Sequence, residues 1–521
     1  MEGVAVNNPE FTPVIVGVGQ LNDRPTDLDD GLNSLDLMEA ALRLAEGDSG
    51  ANWLTDLESL AVIDQVSFPE LGDVSGPLAQ RLGAKPRYCT KTPLSTGDSP
   101  ILLLNEAANR IGSGDIRIAA VVGGEALRTA ARRKAAAQGN DVSEHNASRI
   151  NAARRAGPFR SKYGLIAAVE VYPLYENAGR AAYGQTLEQG QRESGEIWSR
   201  FSEVAAANPG AWIQKPVSPE DIVTPSADNR PISFPYNKLM VANNSVNQGA
   251  GFIITSLAEA RRRGVPEDKI IYVGMGAAAR EPDDPLGRDR YDHSSSMAVS
   301  IRRALELNAA TVDDLDFVEL YSCFPCVPKM ARRVLGWPVE KPATVSGGLT
   351  FGGGPIGNYM SHAIVSMVRT LRQQGNLGLL FGNGGSATSN HTILLGSGPI
   401  AKASFPQDFN FQAEADADRD AIPPIVEEWT GPGKIETYTV MFGRDGQPKQ
   451  GVVVVRTADG RRTLAKVLEE DAAGIAFLTD GTFEPVGSIG EIVAGEEGLQ
   501  IWRCQPGASH AATTASLEAQ N

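Results

Sequence analysis

Continuous apolar runs recur along most of the chain, and stretches with a helical spacing of apolar residues separate them. Residues 13–20 (PVIVGVGQ), 56–63 (DLESLAVI) and 110–124 (RIGSGDIRIAAVVGG) contain such runs, whereas residues 37–44 have the helical spacing. Strands covered on both faces are rich in Val, Ile and Leu without alternation. The order strand, helix, strand, helix, strand therefore predicts an α/β fold whose sheets are covered by helices.

The same order of elements occurs a second time in the chain. The offsets between matched residues are 257, 258 and 261 positions, so three matches share almost one spacing. This spacing predicts a duplicated α/β unit, although strand–glycine–helix units also look alike in unrelated α/β proteins. The matched segments are 13–20 with 269–276 (KIIYVGMG), 56–63 with 314–320 (DLDFVEL), and 110–124 with 371–385 (LRQQGNLGLLFGNGG).

The pattern changes after residue 405. An acidic segment with little periodicity follows, as is typical of a linker, and then short apolar strands separated by turn residues predict a small β-barrel or sandwich. The segment between the third strand and residue 241 contains several helical stretches. We expect an N-terminal half at 1–125, an inserted, mostly helical loop domain at 126–240, a return to the N-terminal half at 241–265, a C-terminal half at 266–404, a linker at 405–425, a β domain at 426–505 and a disordered tail at 506–521.

Charge and cysteine content exclude several functional classes. The 521 residues carry a formal net charge of −15 and no long basic tract, so the chain lacks the electrostatic signature of a nucleic-acid-binding protein. The N-terminus lacks a signal peptide pattern and no 18-residue apolar run occurs, so we expect a cytoplasmic protein without a membrane partner. Cys323 and Cys326 form a CxxC without a second ligand pair, so no metal site is predicted.

A turn of small polar residues precedes a strongly apolar helix at residues 93–100 (PLSTGDSP). Enzymes place nucleophiles in such turns because the positive end of the helix stabilises a thiolate or alkoxide. Here the turn presents Leu94, which has no ionisable atom. Ser95 is an alternative nucleophile only with a base beside it, whereas Ser99 and Pro100 suit the start of a helix.

These halves, the inserted segment and four short motifs resemble the thiolase superfamily, especially its sterol-carrier-type branch and the thiolase-like proteins, over residues 13–398. The resemblance implies a duplicated fold with α-β-α-β-α layers. Its nucleophile turn reads Cys-Ser-Thr-Gly, so Leu94 stands where the reactive cysteine belongs. Gly354 replaces the histidine of Gly-His-Pro, Gly382 replaces the acid/base cysteine of Cys-x-Gly, and Tyr321 begins the motif that helps to build an oxyanion hole.

The resemblance also implies a ligand. Residues 243–251 (NNSVNQGAG) resemble the family segment whose serine touches the pantetheine of coenzyme A, so Asn244 or Ser245 would take that place, with Asn383 contacting the same ligand. An ordinary turn before a strand is the alternative. The basic residues after the first Gly-Gly turn would meet an adenosine phosphate or form a solvated helix face; they are Arg128, Arg132, Arg133 and Lys134.

Three functions remain open at this point. The first is a thiolase-like protein of the acetyl-CoA acetyltransferase family that binds coenzyme A or acyl-CoA, needs no further cofactor and has lost thiolysis. The second is retro-aldol cleavage of a β-hydroxyacyl-CoA with Tyr321 and Tyr359. The third is a non-catalytic partner protein that acts through the terminal β domain, which resembles the OB-fold companion of such thiolases. His362 is expected to be a core or surface histidine, and the oligomeric state stays open.

Overall fold

The structure is a computed structural model that describes residues 8–27, 30–138 and 156–504. The expected tail at 506–521 and part of the inserted segment, 139–155, lie outside the described residues. The strands are β1 (Pro13–Asn22), β2 (Ser59–Val62), β3 (Tyr88–Lys91), β4 (Ile118–Ala126), β5 (Pro231–Ser233), β6 (Tyr236–Asn237), β7 (Asn247–Ser256), β8 (Ile271–Arg280), β9 (Phe317–Leu320), β10 (Leu377–Gly384), β11 (Ser389–Gly396), β12 (Gly431–Phe442), β13 (Pro448–Thr457), β14 (Arg462–Leu468), β15 (Ile489–Ala494) and β16 (Gln500–Cys504).

Helices cover these strands. They are α1 (Ser34–Ser49), α2 (Ser75–Leu82), α3 (Ser99–Gly112), α4 (Leu127–Gln138), α5 (Ala168–Ala182), α6 (Leu187–Ala207), α7 (Pro219–Val223), α8 (Leu257–Arg262), α9 (Ser295–Leu307), α10 (Cys326–Leu335), α11 (Tyr359–Gln373), α12 (Gln412–Asp418) and α13 (Ala472–Thr479).

Two similar half-sheets join in one nine-stranded sheet of order β3-β2-β4-β7-β1-β8-β11-β10-β9. The strands β1, β2, β4 and β7 of the first half correspond to β8, β9, β10 and β11 of the second. The pairs β3–β2 and β2–β4 of the first half are parallel, as is β9–β10 of the second, and the other neighbours in each half are antiparallel. Only Val14 with Tyr272 and Ile15 with Ile271 pair across the junction. The predicted duplicated α/β fold is therefore confirmed.

Local sequence signals explain where the helices begin and end. The Asn33 side chain accepts from Asp36 N (3.1 Å) while the Asp36 carboxylate accepts from Asn33 N (3.2 Å), which is a capping box. Gly50 ends α1 with a φ of +76°, which glycine adopts without strain. Helices α3 and α11 pack against each other and against strands of both halves, so they form the central helical layer.

The C-terminal region is a closed barrel of five strands. In the order β12-β13-β14-β16-β15, each strand pairs with the next, and β15 returns to β12. The predicted small β-barrel is confirmed. Strand β5 of the inserted segment extends this sheet by pairing Ser233 with Met441. The segment that we expected to be a linker contains α12, and its residues Phe409 and Phe411 bond to Ala278 of β8.

The inserted helix α5 lies between the barrel and the second half-sheet. The Asn177 amide donates to Tyr438 O of β12 (2.9 Å), whereas the Tyr172 hydroxyl donates to Gly385 O (2.9 Å) and the Tyr175 hydroxyl to Ser386 O (2.9 Å). One helix therefore holds both the barrel and the turn after β10. Among the described residues, no helix has the length and apolarity needed to cross a membrane.

Candidate functional site

Four loops meet at the N-terminus of α3. They are the turn before α3, the loop after β9, the glycine-rich loop before α11 and the turn after β10. Glycine in these loops allows backbone contacts that any side chain would block. A Cβ placed on Gly357, in the loop before α11, would lie 2.4 Å from Ser95 Oγ. A Cβ placed on Gly97 would lie 2.3 Å from the Tyr321 hydroxyl, which comes from the loop after β9.

The turn after β10 completes this arrangement. A Cβ on Gly384 would lie 2.6 Å from Asp98 Oδ1, and one on Gly382 would lie 3.1 Å from Asp98 Cα. The structure thus brings together the four segments that the sequence motifs singled out. Because glycine occupies the contact points, these loops approach one another through their backbones.

The nucleophile turn presents an aliphatic side chain. Leu94 is 54% exposed, so it points outward instead of filling the core. The neighbouring Ser95 Oγ accepts a hydrogen bond from Gly357 N (3.2 Å), and no described residue gives it a base. Helix α3 begins at Ser99, whose hydroxyl bonds to Thr96 Oγ1 (2.9 Å) and holds the turn.

Tyr321 contributes a phenol to the site. Its ring lies edge-on to that of Tyr359, with centroids 5.7 Å apart. Burial raises the pKa of Tyr321 well above its ordinary value, and the charges of Cys323 and Asp98 raise the pKa further. Among the described residues, none hydrogen-bonds to the Tyr321 hydroxyl. This phenol is therefore available to a ligand in its neutral, donating form.

Tyr359 has a different environment. Its hydroxyl donates to Glu319 Oε1 (2.6 Å) and contacts Ser346 Oγ (2.7 Å). Glu319 also accepts from Thr344 Oγ1 (2.9 Å) and from Val345 N (2.9 Å). Burial raises the pKa of Glu319 despite these hydrogen bonds. The Tyr359 hydroxyl thus fixes the glycine-rich loop and is not available to a ligand in this arrangement.

Asp98 is a polar group of the site to which sequence reasoning gave no role. It holds the N-cap position of α3 without making a capping hydrogen bond. Its Oδ1 is enclosed and has no hydrogen-bond partner among the described residues. Burial raises the pKa of Asp98, while a hydrogen bond from Thr96 and the charge of Arg280 oppose the increase.

The predicted ligand contacts divide into two groups. Asn244 is exposed, and its Oδ1 would lie 2.9 Å from a Cβ on Gly354; Ser245 follows it and is partly buried. This segment therefore borders the glycine-rich loop. Asn383 is fully buried, and its amide donates to Asn390 Oδ1 (2.8 Å) inside the protein. The structure places the Asn383 side chain in the interior of the turn after β10.

His362 lies away from the four loops. Its Nδ1 is 2.9 Å from Gln20 Oε1 of β1, and its ring is buried within α11. Burial, assisted by the charge of Arg369, lowers the pKa of His362 to about 3. The imidazole is therefore neutral at physiological pH, as expected for a core histidine.

Two cysteines and the basic helix face were further candidates for chemistry. Burial raises the pKa of Cys323 to about 12 and raises the pKa of Cys326 well above its ordinary value, so both are protonated thiols. In the described part of the chain, no group of three or more His, Cys, Asp or Glu side chains could hold a metal ion. Arg128 lies 6.0 Å from the Trp212 ring, and Arg133 donates to Gly31 O (2.8 Å).

Two sequence signals could have identified the residues that were missed. Asp98 stands directly before Ser-Pro at a helix start, where an aspartate ordinarily caps the helix. Glu319 interrupts the apolar strand β9 as a single carboxylate. A charged residue in a buried strand must be hydrogen-bonded, so Glu319 could have been predicted to organise a loop. Its partners could not, because they follow it by 25 residues or more.

The two like half-sheets and the four loops at the start of a buried central helix define a protein of the thiolase class. Residues 412–497 match the family described as the thiolase-like protein type 1 additional C-terminal domain. A monomeric SCP2-thiolase-like protein type 1 from Mycobacterium smegmatis superimposes with a TM-score of 0.80 at 30% identity, covering 95% of this chain and 99% of that one. The chain belongs to this family of SCP2-thiolase-like proteins of type 1, which confirms the predicted resemblance.

Other solved structures at lower identity show the same fold, and a curated protein matches part of the chain in sequence. An Ltp2–ChsH2(DUF35) aldolase has a TM-score of 0.58 at 17% identity, covering 75% of this chain and 99% of that one. The human mitochondrial 3-ketoacyl-CoA thiolase has a TM-score of 0.55 at 13% identity, covering 75% and 100%. Acetyl-CoA acetyltransferase IA of Candida tropicalis is 31% identical over 144 residues, which are 27% of this chain and 33% of that protein. The chain thus matches about a third of that curated relative.

Proposed function

We propose that the protein binds coenzyme A or acyl-CoA at the four-loop site and does not catalyse thiolysis. The observation that carries this proposal is the exposed Leu94 at the start of α3, where the resemblance expects the nucleophile. A leucine cannot form an acyl-enzyme, and covalent catalysis requires one. Gly354 and Gly382 supply no side chain for proton transfer at the two other positions that the resemblance singles out.

Ligand binding does not require the nucleophile and the proton-transfer groups that thiolysis requires. The site retains glycine loops through which backbone can approach a ligand, and the Asn244 amide stands exposed beside Gly354. Several proteins of similar structure are named for coenzyme A or acyl-CoA chemistry, such as the human mitochondrial 3-ketoacyl-CoA thiolase. These observations support a small-molecule thioester as the partner of the site.

Calorimetric titration of the full chain with coenzyme A tests the binding proposal. We expect saturable heat for the wild type and at least tenfold weaker binding for Asn244→Trp, whose ring would fill the space beside Gly354. Glu188→Trp is the matched control, because the Glu188 side chain is 82% exposed on α6. The absence of binding to the wild type would overturn the proposal.

The proposed absence of thiolysis is tested by placing a cysteine at position 94. We expect Leu94→Cys to gain a thiol that iodoacetamide modifies and yet to leave acetoacetyl-CoA uncleaved, because Gly354 and Gly382 still provide no acid or base. Appreciable thiolysis by the wild type, or turnover by the single variant, contradicts this account.

Retro-aldol cleavage of a β-hydroxyacyl-CoA is the second candidate, and the unpartnered Tyr321 hydroxyl favours it. In that reaction a base takes the hydroxyl proton, the bond between C2 and C3 breaks, and an aldehyde or ketone leaves while a donor holds the enolate oxygen. Incubation with a 3-hydroxyacyl-CoA should then release carbonyl product from the wild type and much less from Tyr321→Phe. If the wild type releases none, the binding function stands alone.

A further inference from the structure

Asp98 occupies the space beside Gly382 and Gly384. Its Cα and Cβ would lie 3.1 and 3.5 Å from a Cβ on Gly382, and its Oδ1 would lie 2.6 Å from one on Gly384. The resemblance to the thiolase superfamily implies an acid/base cysteine at position 382. The Asp98 carboxyl group, at the start of α3, therefore lies in the space that a side chain at position 382 or 384 of β10 would occupy.

The Asp98 carboxyl does not serve the helix that follows it. An aspartate at an N-cap position ordinarily accepts a hydrogen bond from the second or third helical N–H. Asp98 makes no such bond, and its enclosed Oδ1 is unpaired among the described residues. Buried polar atoms without partners are uncommon in folded proteins and call for an explanation. The side chain turns toward the four loops instead.

Tyr321 is the titratable neighbour of this carboxyl. The negative charge of Asp98 raises the pKa of Tyr321, so the two groups lie close enough to influence each other. The remaining charged or titratable neighbours are Arg280, which opposes the raised pKa of Asp98, and Cys323, whose thiol titrates only near pH 12. Among these groups the Asp98 carboxyl has the lowest ordinary pKa, and burial raises it.

We propose that Asp98 is the acid–base group of the four-loop site and that it acts on C2 of a bound acyl-CoA, with Tyr321 as the donor to the thioester oxygen. The proposal rests on the binding function proposed above. The Asp98 carboxylate takes a proton from C2, so a C–H bond breaks and an O–H bond forms. The electron pair moves to the thioester oxygen, where the Tyr321 phenol donates a hydrogen bond. Return of a proton from Asp98 restores the acyl-CoA, and no oxidant or second substrate is consumed.

Three features make this step chemically reasonable. Burial raises the pKa of the Asp98 carboxyl, which strengthens it as a base when it is ionised. Tyr321 keeps its proton at neutral pH and can donate it to an oxyanion. No covalent intermediate is required, so Leu94 is no obstacle. The same pair would serve the retro-aldol reaction, in which a base and an enolate donor are also the two required groups.

Deuterium exchange into C2 of acetoacetyl-CoA, followed by mass spectrometry in D₂O, measures this step directly. We expect the wild type to exceed the buffer rate by at least a hundredfold. Asp98→Asn, which preserves shape, should fall at least a hundredfold below the wild type. Tyr321→Phe should fall about tenfold, because one oxyanion donor is lost. Asp313→Asn is the control, since Asp313 is an exposed carboxylate that the proposal gives no role.

The pH profile separates catalysis from folding. The wild-type exchange rate should rise with pH through the titration of one carboxyl, whereas the residual rate of Asp98→Asn should follow hydroxide alone. Coenzyme A titration of the same samples distinguishes the two proposals. Normal binding without wild-type exchange, or equal exchange by Asp98→Asn, overturns the role of Asp98 and leaves binding intact. Absence of coenzyme A binding overturns both.

Discussion

At the residue scale, Glu319 organises the glycine-rich loop from the end of β9. Its carboxylate is fully buried and accepts hydrogen bonds from the loop and from Tyr359. An unpaired carboxylate at this depth would be strongly unfavourable, and several donors offset that cost. The shape of the glycine-rich loop therefore depends on this buried carboxylate.

Replacing this carboxylate by an amide tests its role. Glu319→Gln would turn an NH₂ group toward the donors of Val345 or Ser346, so we expect a loss of about 2–3 kcal/mol in unfolding free energy. Urea unfolding provides the measurement. Glu340→Gln, at an exposed position, should change it by less than about 0.5 kcal/mol. Equal stability of the two variants would show that the network contributes little.

A second buried carboxylate predicts a pH dependence of stability. Glu125, at the end of β4, accepts from Val66 N (2.9 Å) and Ser67 N (3.0 Å), yet burial raises its pKa from 4.5 to about 7. The native state thus holds a proton that the unfolded chain releases near pH 4.5. Its contribution is fully present below pH 4.5 and is lost as pH rises through 7, which amounts to about 3 kcal/mol.

Comparison with Glu125→Gln isolates this contribution, because glutamine does not titrate. Denaturant unfolding of both proteins at several pH values should show the wild type losing about 3 kcal/mol relative to the variant between pH 4.5 and pH 7. Parallel stability curves would mean that the folded-state pKa of Glu125 is ordinary.

At the element scale, close backbone contacts between loops set the geometry of the site. The loop before α11 and the turn before α3 meet at Gly357 and Ser95, and the Gly357 N–H bonds to the Ser95 hydroxyl. Neither loop carries a large side chain into this contact. The contact is consequently sensitive to the addition of a single carbon atom.

Gly357→Ala adds one carbon atom, the alanine Cβ, at the contact with Ser95. Its Cβ would lie 2.4 Å from Ser95 Oγ and 3.0 Å from Thr96 N, so the turn must move. We expect at least a tenfold loss of coenzyme A affinity by calorimetry. Gly76→Ala is the matched control: its Cβ meets nothing within 4 Å, and alanine in α2 should retain affinity and raise stability by about 0.5–1 kcal/mol. Unchanged affinity in Gly357→Ala would separate this contact from ligand binding.

Sequence reasoning recovered the elements better than their contacts. Apolar runs and repeated spacing gave the strands of both halves and the barrel, because burial imposes those patterns locally. Helix α12 was not predicted from the sequence, because its packing against β8 depends on Phe411 and its neighbours, which lie in an otherwise acidic segment. The enclosed position of Asp98 was not predicted either, because its neighbours Gly382 and Gly384 are almost three hundred residues away in sequence.

At the scale of the whole molecule, one buried arginine joins the barrel to the α/β core. Arg462 of β14 is fully buried and donates to Glu436 Oε2 of β12 (2.7 Å) and to Leu286 O of the core (2.7 Å); it also donates to Arg288 O. The Asn177 amide forms a second link. Buried charges bound on both sides of an interface favour one cooperative unit.

Removal of this arginine should weaken that unit. Arg462→Met removes one of the two ion pairs of Glu436 among the described residues and the hydrogen bonds to Leu286 O and Arg288 O, which costs about 3–5 kcal/mol. We expect one calorimetric transition for the wild type and an earlier, separate barrel transition for the variant. Arg461→Met, whose partner Asp459 is near the surface, should keep a single transition. Two transitions in the wild type would contradict the coupling.

The contacts around Gly354 and Gly382 bear on how such a protein could change over evolutionary time. A side chain at Gly382 would press on Asp98, and one at Gly354 would press on Asn244 and on the Asn243 backbone. An imidazole at position 354 or a sulfhydryl at position 382 would therefore require these neighbours to shift to make room. Substitutions at these two glycines would thus have to be accompanied by adjustments of Asn244 and of the start of α3.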